Sequence, residues 1–100
     1  MPTPSLERTT RLVASRDQVS TTLGAETVIL GMHDGVYYGV AGSAARIWEL
    51  LQAERSLGEI SDQLVAEYDV EPGRAWEDLC AHAHELLERG LIERSPAPAP

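Results

Sequence analysis

The stretch Thr27–Val40, TVILGMHDGVYYGV, decides the fold, because two β-branched and aromatic segments meet there at Asp34-Gly35. Asp-Gly between two such segments is the strongest short-range signal for a β-hairpin. The second strand, Val36–Val40, has no charge and no proline that would protect an open sheet edge. Natural sheets rarely leave such an edge exposed, because it pairs with other chains. The sequence therefore predicts that another part of the fold, or a partner, covers this strand.

A two-residue turn at Asp34-Gly35 would fix the register of the hairpin. Met32 would then face Tyr37, and Ile29 would face Val40. One face of the second strand would carry Val36, Tyr38 and Val40, and the other Tyr37 and Gly39. Both faces are partly apolar, so the pattern leaves open which of the two tyrosines faces the core.

The segments around the hairpin complete the order of elements. Val19–Thr22 is a short β-rich segment and predicts a third antiparallel strand. Helical periodicity begins at Ser43, which is expected to cap the first helix. The sequence Ser56–Glu59 matches a capping box and opens a second helix that ends near Asp69.

The third helix begins at Pro72 and ends at Gly90, after which Leu91 and Ile92 are expected to pack against the core. Its apolar stripe is wider than one packing partner requires. Two adjacent lines form the stripe: Ala75, Leu79, Ala83 and Leu86, then Trp76, Cys80, Ala83 and Leu87. The second line indicates a second neighbour, although a small domain that wraps the helix on two sides would give the same pattern.

The predicted fold class is α+β, a winged helix-turn-helix with a three-stranded antiparallel sheet followed by three helices. Residues 1–10 are polar with two prolines, and residues 95–100 read SPAPAP. Segments of this composition do not order themselves, so we expect flexible tails on both sides of one domain at residues 11–94.

Charge and hydropathy argue against two classes of partner, nucleic acids and membranes. The formal net charge is −8, and all eight cations are arginines. Nucleic-acid affinity comes largely from cations that neutralise phosphates, so this balance argues against nucleic acid as a partner. No apolar run is long enough to span a membrane and no signal-peptide core is present, which predicts a cytoplasmic protein with no membrane association.

Few side chains form a pattern that carries chemistry. Cys80 and His84 stand one helical turn apart, as two metal ligands would, but two ligands do not make a site. His82 is expected to point away from them into solvent. The chain has no phosphate loop, nucleophile elbow or paired-carboxylate motif. We therefore predict no metal, no cofactor and no catalytic residue.

The segments GMHDGVYYGV, AGSAARIWELL, SLGEISDQLVAEYDVEPGRAWEDL and HELLERGLIE together resemble the PqqD-like RiPP recognition elements, most closely the stand-alone ones of lasso peptide pathways. The resemblance covers about residues 19–93. The family often has Asn directly after the hairpin, where this chain has Ala41-Gly42-Ser43, so capping is expected to move to Ser43.

The resemblance implies a non-catalytic protein that binds the leader segment of a precursor peptide. The leader would add as an antiparallel strand to the hairpin edge and be presented to a leader peptidase and a macrolactam-forming lasso cyclase. The implied edge residues are Val36, Tyr37, Tyr38, Gly39 and Val40, and the implied groove wall is Trp76, Cys80, Ala83 and Leu87. Arg74, Glu77 and Asp78 would form a charged rim.

Three alternatives remain open at this level. A peptide chaperone of another modified-peptide pathway, of the PQQ type, would share all these features. A winged-helix DNA-binding regulator would share the fold, but the acidic second and third helices disfavour it. A homodimer that pairs edge to edge would also cover the open strand.

Overall fold

The computed structural model describes residues 6–53 and 55–95, and within them a three-stranded antiparallel sheet is followed by three helices. This arrangement confirms the predicted α+β, winged helix-turn-helix class. The elements are β1 Leu12–Ala14, β2 Gln18–Leu23, β3 Glu26–Gly31, β4 Tyr37–Ala41, α1 Ser43–Gln52, α2 Leu57–Tyr68, α3 Pro72–Glu88 and β5 Ile92–Arg94. The three-stranded sheet has the order β2-β3-β4, so β4 forms one of its edges.

The predicted two-residue turn of the hairpin is wrong. Leu30 pairs with Tyr37, and Thr27 pairs with Val40. The backbone N–H of Gly31 also donates to the carbonyl of Val36 (3.0 Å), so the loop between these two residues is four residues long. Asp34 and Gly35 end this loop: the Asp34 side chain accepts a hydrogen bond from the backbone N–H of Val36 (3.1 Å), and Gly35 has a φ of 68°. The short polar side chain and the glycine close a wider loop than the dipeptide signal predicts.

The register differs from the predicted one by two positions, and an even shift leaves every side chain on its predicted face. Ile29 and Val40 therefore still share the core face, at 0% and 5% exposure. Tyr38 is half-buried on that face, whereas Tyr37 is 70% exposed on the other. The structure thus decides which tyrosine faces the core.

The helix ends follow local chemistry, with one exception. Ser56 and Glu59 form the predicted capping box, Asp69 closes α2 in a left-handed conformation, and Pro72 begins α3. The predicted cap at Ser43 is wrong. The N-cap of α1 is Gly42, at a φ of 61° and with no side-chain hydrogen bond, and Ser43 is the first helical residue. Gly42 takes this place because the sharp exit from β4 requires a positive φ, which glycine adopts without strain.

A second, two-stranded sheet forms from β1 and β5, which the sequence does not predict. It contributes Leu12 and Ile92 to the core, and Leu91 is also buried, as expected. Residues 6–10, assigned to a tail from the sequence, pack against the start of α2, where the backbone N–H of Leu57 donates to the carbonyl of Thr10 (2.9 Å). Ser95, also assigned to a tail, donates its backbone N–H to the carbonyl of Arg11 (2.9 Å). Residues 1–5 and 96–100 of the predicted tails lie outside the described residues.

The helices pack over the core face of the sheet. Trp48 of α1 is 1% exposed, and its indole N–H donates to the Ser20 hydroxyl on β2 (3.3 Å). Arg46 holds α1 to α2 through a two-point ion pair with Glu67 (2.7 and 2.9 Å), which lowers the pKa of Glu67 to about 2. No helix in the described part of the chain is long and apolar enough to cross a membrane.

Candidate functional site

The main-chain groups of three β4 residues face outward at the sheet edge. The backbone N–H of Gly31 donates to the carbonyl of Val36 (3.0 Å), which sets the alternation of the antiparallel ladder. Tyr38 and Val40 therefore direct their N–H and C=O groups toward β3. The outward groups belong to the alternate residues, Tyr37, Gly39 and Ala41, so the hydrogen-bonding capacity of the open edge is centred on Gly39.

The side chain of Tyr38 joins this edge to α3. The guanidinium carbon of Arg89 lies 4.7 Å from the centre of the Tyr38 ring, a cation–π arrangement. The His82 ring stacks beside the Tyr38 ring, with centroids 6.4 Å apart and planes inclined by 29°. Burial raises the pKa of the Tyr38 phenol, and the nearby Glu85 carboxylate raises it further. These contacts fix the distance between the edge strand and α3.

His82 is not solvated, contrary to the prediction from its position relative to Cys80. Its Nε2 atom is enclosed and has no hydrogen-bond partner among the described residues. Burial lowers the pKa of His82, because the charged imidazolium would lose its hydration there. The neutral ring therefore serves as a flat packing surface for Tyr38.

One polar line of α3 borders the groove between this helix and β4. Its members are Asp78, His82, Glu85 and Arg89, whose spacing of four, three and four residues keeps them on one side of the helix. Arg74 extends the line through an ion pair with Asp78 (3.8 Å), and Glu85 pairs with Arg89 (3.4 Å). The groove is thus lined by charged side chains of α3 along its rim and by the Tyr38 ring at its floor.

An apolar cavity of about 160 Å³ lies where α1, α2 and α3 meet. Ser43 and Asp78 form part of its lining, so it adjoins the end of the groove at which β4 leads into α1. The complete lining is Ser43, Ile47, Leu64, Tyr68, Val70, Ala75, Asp78 and Leu79. At the other end of the groove, Val36, Tyr38 and Arg89 border a smaller depression. The groove therefore has a wide apolar end and a narrow charged end.

The structure does not bring the predicted wall next to Tyr38. Trp76, Cys80 and Leu87 are half-buried, but they lie about 120–160° around the helix axis from the Tyr38-facing line. Ala83 is fully buried in the core. Burial raises the pKa of the Cys80 thiol, which makes it a poor nucleophile.

Of the predicted rim, Arg74 and Asp78 border the groove, whereas Glu77 is exposed and turned away from it. The sequence did not predict that His82, Glu85 and Arg89 border the groove. Their spacing from Asp78 on one helical side was the available signal.

In the described part of the chain, no group of three or more His, Cys, Asp or Glu side chains could hold a metal ion.

Residues 26–92 match the family model of coenzyme PQQ synthesis protein D (PqqD). The match includes the hairpin, all three helices and the groove between β4 and α3. The chain therefore belongs to the PqqD family. None of the curated proteins compared with this chain matches it.

Two solved structures resemble this fold closely. TbiB1 in complex with the TbiA(beta) leader peptide is 30% identical over 85% of this chain and 99% of that chain, with a TM-score of 0.79. A lasso peptide synthetase B1 complexed with the leader peptide is 24% identical over 83% of this chain and 98% of that chain, with a TM-score of 0.77. The second likeness shows the fold alone. The resemblance to PqqD-like RiPP recognition elements is confirmed.

Proposed function

We propose that this protein binds the leader segment of a lasso precursor peptide as an additional antiparallel strand on β4. The observation that carries the proposal is the open edge at Gly39, held beside α3 by the contacts of Tyr38. Strand addition supplies main-chain hydrogen bonds, while pockets beside the strand select side chains. The likeness to TbiB1, solved with a leader peptide, supports this function.

The geometry of β4 gives the bound leader a direction. A strand antiparallel to β4 runs from the Ala41 end toward the Tyr37 end. Its N-terminal part therefore reaches the apolar cavity beside Ser43, and its C-terminal part leaves beside Val36. The cavity suits an apolar anchor of the leader, and burial of such an anchor would make it a binding hot spot.

We propose a role in binding rather than catalysis. The polar side chains of the groove are occupied with one another, as in the Arg89–Glu85 pair and the packing of His82 on Tyr38. Cys80 lies on the opposite flank of α3 with a raised thiol pKa. The rim of Arg74 and Asp78 is exposed, so it would tune the association rate and the register of the leader more than its affinity.

The bound precursor would then be presented to a leader peptidase and a lasso cyclase. We place the peptidase contact on an outer patch formed by Val19, Leu30, Met32 and Tyr37, on the side of the sheet away from the helices. Val19, Met32 and Tyr37 are 56%, 57% and 70% exposed. Exposed apolar groups that cluster in this way mark interaction sites. The patch adjoins the end of β4 where the C-terminal part of the leader emerges, which is the part that a leader peptidase must reach.

The proposed function is tested by titrating the fluorescein-labelled leader of the precursor encoded beside this chain with the purified protein. We expect saturable binding in fluorescence anisotropy at micromolar protein or below. A leader in which the residues are scrambled is the control and is expected to bind at least tenfold more weakly. Absence of saturable binding at tens of micromolar protein would disprove the function.

The outer patch is tested with Tyr37→Ser in a leader-cleavage assay with the cognate peptidase. The outward main-chain groups of residue 37 remain, so we expect leader affinity to fall by no more than about threefold, the loss that one exposed side-chain contact gives. When the complex of protein and leader is present at a concentration too low to saturate the peptidase, the cleavage rate should fall about tenfold. The reason is that a large aromatic side chain is lost from the contact with the peptidase. An unchanged cleavage rate would show that the peptidase docks elsewhere.

A peptide chaperone of a PQQ-type pathway is the second candidate, since the matching family model describes PQQ synthesis protein D. The two candidates differ in the peptide that is bound. Titration with the leader of the neighbouring precursor and, in parallel, with a PQQ precursor peptide separates them by affinity.

A further inference from the structure

The outer face of β4 has a notch at Gly39. Tyr37 and Ala41 flank Gly39 on this face, and Gly39 contributes no side chain between them. A Cβ atom placed on Gly39 would lie 2.8 Å from Oε1 of Glu26. The carboxylate of Glu26 therefore leans across the sheet from β3 and occupies the space above Gly39.

Among the described residues of β2, β3 and β4, Glu26 carries the only carboxylate on the outer face of the sheet. The outward-facing residues of β2, β3 and β4 are Val19, Thr21, Leu23, Glu26, Val28, Leu30, Tyr37, Gly39 and Ala41. Among the described residues, Glu26 has no ion pair and no hydrogen bond through its side chain. Glu26 therefore presents the only charged side chain among these described outward-facing strand residues, beside the centre of the open edge.

We propose that Glu26 and Gly39 select a basic side chain, Lys or Arg, at the leader position that pairs with Gly39. The proposal rests on strand addition as the mode of leader binding. The outward main-chain groups of Gly39 make this a hydrogen-bonded pair. Directly paired residues of antiparallel strands project from the same face, so the leader side chain at that position also projects from the outer face. Its aliphatic stem crosses the bare backbone of Gly39, and its charged end reaches the Glu26 carboxylate.

Two neighbouring features favour a cation over a neutral group. The exposed ring of Tyr37 borders the notch and attracts a cation to its face. The formal net charge of −8 also raises the local concentration of a basic peptide segment. A leader with a carboxylate at this position would place two like charges side by side and bind more weakly.

The test is a double-mutant cycle measured by anisotropy at low salt. Each basic residue of the neighbouring precursor's leader is replaced in turn by Gln, and each peptide is titrated against the wild type and Glu26→Gln. We expect one replacement to weaken binding about three- to fivefold on the wild type and less than 1.5-fold on Glu26→Gln, within the range of exposed cross-strand ion pairs. Glu93→Gln, on β5 away from this sheet, is the matched control and should behave as the wild type.

Gly39→Ala provides a second variant, because its methyl group displaces the Glu26 carboxylate while the backbone N–H remains. It is expected to remove the preference for the basic residue. If all Gln replacements weaken binding equally on both proteins, or if the bound leader has no basic residue, the selection proposal is wrong and strand addition still stands. If the unmodified leader does not bind at all, the proposed function itself has failed.

Discussion

Substitution of Gly39 by Pro is expected to weaken leader binding about 30-fold or more. Gly39 is the central residue of the open edge, and its outward N–H would donate to a carbonyl of the leader. Proline has no N–H, and its ring occupies the space that the leader backbone must approach. An acceptor left unpaired in the interface costs about 1–3 kcal/mol, and each 1.4 kcal/mol is a factor of ten in affinity.

The matched control is Thr22→Pro on the opposite edge of the same sheet. Thr22 lies on β2, and its N–H also points away from β3, because the Met32–Asp17 hydrogen bond sets the alternation on that side. Both variants remove one outward N–H from an edge strand, but only Gly39→Pro removes it from β4. Anisotropy titrations of the two variants, with circular dichroism as the folding check, give the comparison. Equal leader affinities would refute strand addition to β4.

Substitution of Trp48 by Ala is expected to lower the free energy of unfolding by about 3–5 kcal/mol. Trp48 is the largest fully buried side chain, at 1% exposure. It joins α1 to the sheet, and its indole N–H is paired with Ser20 of β2. Its removal leaves a cavity in a core with few aromatic residues and leaves the Ser20 hydroxyl without this partner. Urea denaturation followed by far-UV circular dichroism measures the change, since the substitution removes a fluorophore.

Trp76→Ala is the matched control, because Trp76 is half-buried on α3 and is the other tryptophan of the chain. We expect a loss of about 1–2 kcal/mol, since part of that side chain is already in contact with water. If Trp48→Ala leaves no folded protein, Trp48→Phe keeps most of the buried volume and allows a graded measurement. Equal losses at the two tryptophans would contradict the deeper burial of Trp48.

Capping and helix-breaking residues in the sequence correctly predicted most of the helix ends. The capping box at Ser56 and Glu59, the proline at residue 72 and the glycine at residue 90 act within one helical turn of where they stand. Ser43 failed as a predicted cap because two adjacent residues could begin α1. The choice between them depended on the angle at which the chain leaves β4, and a short stretch of sequence does not determine that angle.

The wall of the groove beside Tyr38 also depended on packing between distant elements. The periodicity of α3 identified a stripe of Trp76, Cys80 and Leu87 beside the core-facing line, but it did not show on which flank the sheet would pack. The sheet packs on the flank with His82, Glu85 and Arg89. Polar side chains at this place are consistent with a groove that stays hydrated until a peptide enters it.

The sequence by itself determined the class of the fold, the presence of the hairpin and the open character of its second strand. These properties depend on periodicity, turn residues and the absence of protective charges, all of which are read within a few positions. The tertiary structure alone decided the register of the hairpin, the tyrosine that faces the core, and the flank of α3 that meets β4. Each of these results depends on contacts between residues distant in sequence, where the packing of whole elements outweighs the preferences of single positions.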